Sequence, residues 1–96
     1  MVDPDTVVTR RAGLLEAEVD GEIVGLHVEK GTCYGFNATA TRVWGLIETP
    51  RTLGELRDTL LEEYDVAPEV CAAELSDLLK ELEADGLVEL RAGGAA

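Results

Sequence analysis

The chain has 96 residues, of which 46% are hydrophobic and 29% are charged, and this length corresponds to one small domain. Asp and Glu number 20 against 8 Lys and Arg, which gives a formal net charge of −12. This charge argues against binding to nucleic acids or to anionic membrane surfaces, because both attract proteins through positively charged residues. No apolar run is long enough to span a bilayer and no signal peptide is recognisable, so we expect a cytoplasmic protein.

A β-hairpin pattern is the first clear element of the chain. Apolar and polar residues alternate over residues 14–19 and again over 22–28, which predicts two strands. The Asp20-Gly21 pair between them is typical of a two-residue type I′ turn, which needs a positive φ at both positions. The turn sets the apolar cross-strand pairs on one face: Ala17 with Val24, and Leu15 with Leu26.

A third strand is expected over residues 32–36, and the length of the turn before it decides which face its aromatic residues occupy. A three-residue loop with Gly31 in the left-handed region pairs Val28 with Thr32. The aromatic residues then lie on the core face, with Tyr34 opposite Leu26 and Phe36 opposite Val24, whereas a two-residue loop places them on the other face. We therefore predict the three-residue loop, with three residues on the outer face: Ile23, His27 and Cys33.

Three helices follow, each marked by a boundary signal. Asn37 suits the N-cap of a helix over residues 38–48, in which Trp44 is expected to anchor the core rather than to contact a partner enzyme. The capping box Thr52-Leu-Gly-Glu55 begins a second helix that runs to about Tyr64. The remaining signals are Pro68 at the start of a third helix over 68–85, Gly86 as its left-handed C-cap, and a short strand at 88–90.

This order predicts an α+β domain, a three-stranded antiparallel sheet followed by three helices, similar to a winged helix-turn-helix. In DNA-binding members of that architecture the last helix carries cations, but here Lys80 stands against six acidic residues. Most of these acids fit a solvated helix face, and the alternative is that some flank a groove that receives a basic segment. The expected organisation is a flexible lead-in at 1–12, the domain at 13–90 and a disordered tail at 91–96.

The inventory of catalytic and metal-binding groups is small. His27 is the single histidine and lies within a strand pattern, so we expect no catalytic residue, no metal site and no cofactor. Cys33 and Cys71 are too few for a disulfide framework or a four-ligand zinc site. We expect both to be buried free thiols, the alternative being that they meet across a groove beside the third helix.

Three stretches of the chain resemble the PqqD family: GTCYGFNATATRVWGLI, PRTLGELRDTLLEEYDV and the acidic helix that ends in ADGLVEL. The resemblance covers residues 14–90. Two residues depart from the family pattern, because Phe36 stands where Leu is usual and Ala67 where an Asp cap is common. The resemblance is strongest in a set of spaced residues: Gly31, Tyr34, Phe36, Asn37, Trp44 and Pro50-Arg51-Thr52.

That resemblance implies a RiPP recognition element without catalysis of its own, where a RiPP is a ribosomally made, post-translationally modified peptide. Such proteins bind the leader of a precursor peptide and present it to a modifying enzyme. The enzyme is, for example, a radical SAM protein in PQQ biosynthesis or a leader protease in lasso-peptide biosynthesis. In the family the leader adds as an extra strand to the edge of the third strand and packs on the third helix.

The residues indicate the same site, since the strand at 32–36 is a sheet edge that carries neither charge nor proline to block pairing. We expect the peptide contacts on this strand and on the third helix: Cys33, Tyr34, Gly35, Phe36, Glu74, Leu75, Leu78 and Glu81. A second hypothesis is a degenerate winged-helix regulatory or protein-interaction module that does not bind DNA. An enzyme would rest only on His27 near Cys33. The oligomeric state stays open between a monomer and a dimer that exchanges elements.

Overall fold

The computed structural model describes residues 4–92, which form two three-stranded antiparallel sheets and three helices. The sheets have the strand orders β5-β1-β6 and β2-β3-β4. The α+β class is confirmed, while the likeness to a winged helix stays a prediction. In chain order the elements are β1 Val7–Arg10, β2 Leu14–Val19, β3 Glu22–His27, β4 Thr32–Gly35, α1 Ala38–Leu46, β5 Arg51–Thr52, α2 Leu53–Glu63, α3 Pro68–Ala84 and β6 Val88–Arg91.

The flexible lead-in predicted for residues 1–12 is wrong for the part that the structure describes. β1 is the central strand of the first sheet, and Val8 at its middle is fully buried and pairs with Leu90. The preceding segment is also held, because the Leu53 N–H donates to the Thr6 carbonyl at 2.8 Å. The partners of β1 are β5 and β6, far away in sequence, so a local pattern could not reveal the sheet. Residues 1–3 lie outside the described part.

At the other end of the chain, β6 confirms the short final strand and extends it to Arg91. Residues 93–96 of the predicted tail lie outside the described residues. Gly86 has the expected positive φ of 76°, and the Leu87 N–H donates to the Leu82 carbonyl at 2.9 Å. The left-handed glycine thus turns the chain back from α3, and Leu87 becomes buried in the core.

The first hairpin has the predicted turn and register. Asp20 and Gly21 have φ values of 52° and 83°, as a type I′ turn requires. Ala17 pairs with Val24, and Leu15 pairs with Leu26. Local turn chemistry was therefore sufficient to fix the pairing of β2 with β3.

The predicted register of β3 with β4 is wrong by one residue. His27 pairs with Thr32 and Gly25 pairs with Tyr34, so the loop comprises four residues, 28–31, rather than three. Gly31 has a left-handed φ of 66°, as expected, but the loop is closed by its N–H donating to the His27 carbonyl at 2.7 Å. The His27 ring also accepts a hydrogen bond from the Lys30 N–H at 3.3 Å, which stabilises the longer loop.

This shift of one residue reverses which apolar side chains face the core. Phe36 is buried and Tyr34 is half-buried, as predicted, but Val24 and Leu26 lie on the opposite, exposed face. His27, expected on the outer face, is only 5% exposed, and Ile23 packs against the core instead. Cys33 is exposed, in agreement with its predicted place on the outer face.

The three helices begin at the predicted caps. The Asn37 side chain accepts a hydrogen bond from the Ala40 N–H, and the Thr52–Glu55 capping box is complete. α1 ends at Leu46, two residues before the predicted end, and Pro68 occupies the first turn of α3. The buried stripes of α2 and α3 form the centre of the core together with α1: Ala40, Val43, Trp44, Leu53, Leu56, Leu60, Cys71, Leu75, Leu79 and Leu82.

One cluster of side chains joins β1, β2 and α1. The Arg10 guanidinium lies 4.4 Å from the centre of the Trp44 ring and also donates to the Trp44 carbonyl. The Trp44 indole N–H donates to Glu16 Oε2 at 2.7 Å, and Arg10 lies 3.8 Å from the same carboxylate. Trp44 is 1% exposed, which confirms that it anchors the core. The cluster connects the two sheets through the first helix.

We predict that Glu16→Leu destabilises the protein by about 1–3 kcal/mol, because it leaves the buried indole N–H of Trp44 without its acceptor. Glu18→Leu is the matched control, since Glu18 lies on the same strand and is exposed, and it should change stability by less than about 0.5 kcal/mol. Urea unfolding followed by far-UV circular dichroism measures both. Equal effects of the two substitutions would contradict the structural role of the cluster.

Candidate functional site

β4 has an outer edge that is open to pairing. The Phe36 N–H donates to the Ile23 carbonyl at 2.8 Å, so the backbone groups of Phe36 face β3. Because backbone groups alternate in direction along an antiparallel strand, those of Tyr34 also face β3, while those of Cys33 and Gly35 point outward. Within residues 4–92 no strand pairs with this outer side of β4. Two residues thus offer unpaired N–H and C=O groups to an added strand.

A groove separates this edge from α3. Its part beside Gly35 is a cavity of about 200 Å³, and an adjoining cavity of about 390 Å³ extends past Asn37. Both cavities share Ala40, Leu78 and Glu81 in their linings, so they form one continuous depression, which we call the β4–α3 groove. Its lining residues are Tyr34, Gly35, Phe36, Asn37, Thr39, Ala40, Glu74, Asp77, Leu78, Glu81, Leu82 and Asp85.

The structure brings most of the predicted site residues together along this groove. They are Tyr34, Gly35, Phe36, Glu74, Leu78 and Glu81. Two others lie elsewhere. The Cys33 side chain is exposed on the outer sheet face, outside the groove lining, and Leu75 is 3% exposed and lines a neighbouring cavity with Cys71. On the opposite flank of α3, Ala72 lines a separate cavity with Pro4.

Sequence reasoning missed part of the groove. Asp77 and Asp85 share the three- and four-residue spacing that connects Glu74, Leu78 and Glu81 on one helix face, so this periodicity could have revealed them. The first turn of α1 gave no such signal, because its position opposite α3 is set by tertiary packing. The residues that it contributes are Asn37, Thr39 and Ala40.

Hydrogen bonds of Lys30 and Thr41 connect elements that line the groove. Lys30 in the β3–β4 loop donates from Nζ to the Asp85 carbonyl at 2.9 Å, which connects the sheet to the C-terminal end of α3. This placement is favourable, because a cation complements the negative end of a helix dipole. The Thr41 hydroxyl accepts from the Ile23 N–H at 3.0 Å and donates to the Phe36 carbonyl, so it joins α1 to β3 and to the residue after β4. Hydrogen bonds thus connect the loop before β4 to the end of α3, and the residue after β4 to α1.

An ion pair connects the other two helices next to the groove. Arg42 of α1 and Glu63 of α2 form two hydrogen bonds, of 2.8 and 2.5 Å. The hydrogen bond with Arg42 lowers the pKa of Glu63, and the same bond raises the pKa of Arg42. Both side chains are partly exposed, so the pair orients the helices more than it stabilises the fold.

The two cysteines have different surroundings. Cys33 is exposed, whereas Cys71 is 5% exposed inside the core. Burial is the main reason that the pKa of the Cys71 thiol is raised, and the nearby Glu74 carboxylate raises it further. Both thiols are free. The expected burial is confirmed for Cys71 and wrong for Cys33, because the Cys33 side chain lies on the outer face of the sheet, where it is exposed.

The outer face of the second sheet is a separate apolar surface. Leu15 is 62% exposed and Val24 is 46% exposed, although both are large hydrophobic residues. Further exposed apolar side chains of β2, β3 and the following loop are Val19, Leu26 and Val28. Because Val24 pairs with Gly35 of β4, this apolar face adjoins the open edge. A contiguous apolar surface of this kind is typical of a protein interaction site.

Other kinds of site are not evident in the part of the chain that the structure describes. Among residues 4–92, no group of three or more His, Cys, Asp or Glu side chains is placed to hold a metal ion. In the same range, no helix is both long and apolar enough to cross a membrane.

Comparison with known proteins agrees with the fold. The sequence pattern of the family described as coenzyme PQQ synthesis protein D (PqqD) matches residues 22–88. The chain belongs to the PqqD family. The matched part contains β3, β4 and all three helices, and it therefore includes both walls of the groove. No curated protein matches the chain.

Two solved structures share the PqqD-type fold. TbiB1 in complex with the TbiA(beta) leader peptide is 31% identical, with a TM-score of 0.78 over 84% of this chain and 94% of that chain. Lasso peptide synthetase B1 complexed with the leader peptide is 20% identical, with a TM-score of 0.70 over 85% and 96% of the two chains. At that lower identity the second comparison supports the fold alone.

We predict that iodoacetamide modifies Cys33 and spares Cys71 in the folded protein. Alkylation requires an accessible thiolate, and Cys71 is buried with a raised thiol pKa. Mass spectrometry after a brief reaction at pH 8 should find a single adduct at Cys33, and the urea-unfolded control should carry two. Faster modification of Cys71, or a protein without reactive thiols until it is reduced, would contradict this arrangement.

Proposed function

We propose that this PqqD-family chain binds the leader segment of a ribosomally made precursor peptide and presents it to a modifying enzyme or a leader protease, in lasso-peptide or PQQ-type biosynthesis. The observation that carries the proposal is the open edge of β4 beside the β4–α3 groove. The similarity to TbiB1, a protein solved with a leader peptide, supports the same function. Ribosomal synthesis of the precursor places the encounter in the cytoplasm.

The bound leader would form a fourth strand on the outer side of β4. Cys33 and Gly35 would each donate and accept one backbone hydrogen bond, which gives affinity for an extended peptide of any sequence. Alternate side chains of the peptide would enter the groove against Leu78, and this packing gives specificity. At Gly35 the pairing would depend on the backbone groups alone, because no atom lies within 4 Å of the position that a Cβ would occupy there.

The chain would contribute no catalysis of its own. The inner face of the sheet buries His27, whose ring already accepts a hydrogen bond from the Lys30 N–H, and the exposed Cys33 lies on the other face. The two residues that an enzyme hypothesis would combine are therefore on opposite sides of one sheet. The chemistry of the pathway would belong to the partner enzyme.

A partner enzyme would dock on the outer apolar face that contains Leu15 and Val24. A strand added to β4 continues the sheet, so every second side chain of the peptide would emerge on this same face. An enzyme bound to this face would contact this protein and the bound peptide at the same time. This continuity with the peptide edge, and the exposure of large apolar side chains, favour the outer face over the acidic surface of α3.

The test of leader binding is a titration of isotope-labelled protein with a synthetic peptide, the leader of the precursor encoded beside its gene. We expect amide shifts concentrated in β4 and α3, and micromolar or tighter affinity. Shifts confined to other elements, or no binding at micromolar concentration, would refute the proposal. The alternative regulatory module would give that same negative result, because it has no affinity for extended peptides.

Variants at Gly35 make this test sharper. Gly35→Pro should abolish leader binding, because proline removes an outward N–H, while the β3–β4 hydrogen bonds of Tyr34 and Phe36 stay intact. Gly35→Ala is the matched control, since its Cβ meets open space and the donor is kept, so affinity should change by less than about threefold. Circular dichroism and the dispersion of amide signals confirm that both variants fold.

Docking on the outer face is tested with Leu15→Lys, which places a charge at the centre of the apolar surface. We expect leader affinity to stay within about twofold, while the rate of precursor processing by the enzyme encoded in the same cluster falls by about tenfold, as for loss of an interface anchor. Leu15→Ile preserves the apolar character and should retain the rate. Normal processing by the lysine variant would exclude this face as the docking site.

A further inference from the structure

Acidic side chains of α3 and of its C-cap line the β4–α3 groove. Glu74, Asp77 and Glu81 line the part of the groove beside Asn37, and Glu81 continues with Asp85 into the part beside Gly35. In neither cavity does a lysine or an arginine contribute to the lining. All charged side chains that line the groove opposite the open edge of β4 are therefore carboxylates.

These carboxylates are not neutralised by the protein itself. Within residues 4–92, the side chains of Glu74, Asp77, Glu81 and Asp85 form no hydrogen bond or ion pair. The cations on adjoining elements are already bonded elsewhere, since Lys30 donates to the Asp85 carbonyl and Arg42 pairs with Glu63. Lys80, on the same helix, does not line the groove. The groove thus has a negative potential that an incoming cation would relieve.

The floor of the groove is apolar. Three buried residues line it: Phe36, which follows β4, Ala40 of α1 and Leu82 of α3. Leu78 of α3 also lines it and is half-buried. A side chain bound here would pack against apolar residues on the floor, with carboxylates near its end at the rim. Lys and Arg have matching shapes, because their aliphatic stems cover apolar surface while their charged ends reach outward.

We propose that the β4–α3 groove selects leader segments that carry Lys or Arg at the positions facing α3, with Glu74, Asp77 and Glu81 as specificity-determining residues. This inference rests on the proposed function, because it requires a strand paired with β4. Backbone pairing holds the extended peptide, and the carboxylates then discriminate among sequences at alternate positions. An acidic or neutral segment would leave the carboxylates unpaired and would bind less tightly.

The experiment measures affinity of the labelled leader peptide encoded beside the gene, together with a copy in which each Lys and Arg is replaced by Gln. We expect the wild-type protein to bind the native leader about three- to tenfold more tightly than the neutral copy, the effect of two or three partly exposed charge pairs. Raising NaCl from 50 to 500 mM should reduce this preference, because salt screens the pairs.

Matched variants separate local pairing from general charge. Glu74→Gln with Glu81→Gln should weaken native-leader binding about three- to tenfold and should leave binding of the neutral copy within about twofold. Glu62→Gln with Glu83→Gln removes the same net charge at exposed residues outside the groove lining, and it should change neither affinity by more than about twofold. Thermal unfolding confirms that all variants fold.

The outcomes distinguish this inference from the function on which it rests. If the native leader binds at β4 but its affinity is insensitive to the Lys and Arg replacements and to the Glu74 and Glu81 variants, charge selection is wrong and leader binding stands. A leader that binds and contains no cation in its bound segment overturns the inference equally. If the native leader does not bind the wild-type protein at either salt concentration, the proposed function itself fails.

Discussion

The pairing of Gly25 with Tyr34 is the constraint on which the candidate site depends. It places Tyr34 and Phe36 toward the core, leaves the outward backbone groups of Gly35 beside α3, and turns Val24 to the exposed face. A shift of one residue would exchange these faces throughout the strand, because side chains alternate with a period of two. A single register therefore sets both the open edge of β4 and the apolar surface behind it.

Several polar contacts connect the elements that form the walls of the groove. Lys30 fixes the C-terminal end of the helix relative to the β3–β4 loop, and Thr41 connects α1 to both β3 and Phe36. Arg10 and Trp44 add a connection between the two sheets. A small domain has little hydrophobic core to define such distances, so directional hydrogen bonds make a large difference to the shape of the site.

Under the proposed function, the second sheet would separate two kinds of recognition. Its β4 edge and the anionic wall of α3 suit an extended peptide with cationic side chains, and its outer face suits an apolar partner. The formal net charge of −12 opposes association between copies of the domain while these surfaces stay exposed, because like charges repel. A protein with the proposed function would need both surfaces at once, because it must hold the peptide and contact the enzyme.

The sequence by itself determined the elements whose causes are local: the Asp20-Gly21 turn, the Asn37 and Thr52 caps, and the apolar stripes of the helices. The PqqD pattern and the open edge at 32–36 were also readable. Only tertiary structure decided the sheet of β1 with β5 and β6, the four-residue loop before β4, and the burial of His27. The first sheet depends on contacts between segments that are distant in sequence. The register of β4 depends on the length of the loop before it, and a change of one residue reverses which side chains of the paired strand face the core. No local sequence pattern carries this information.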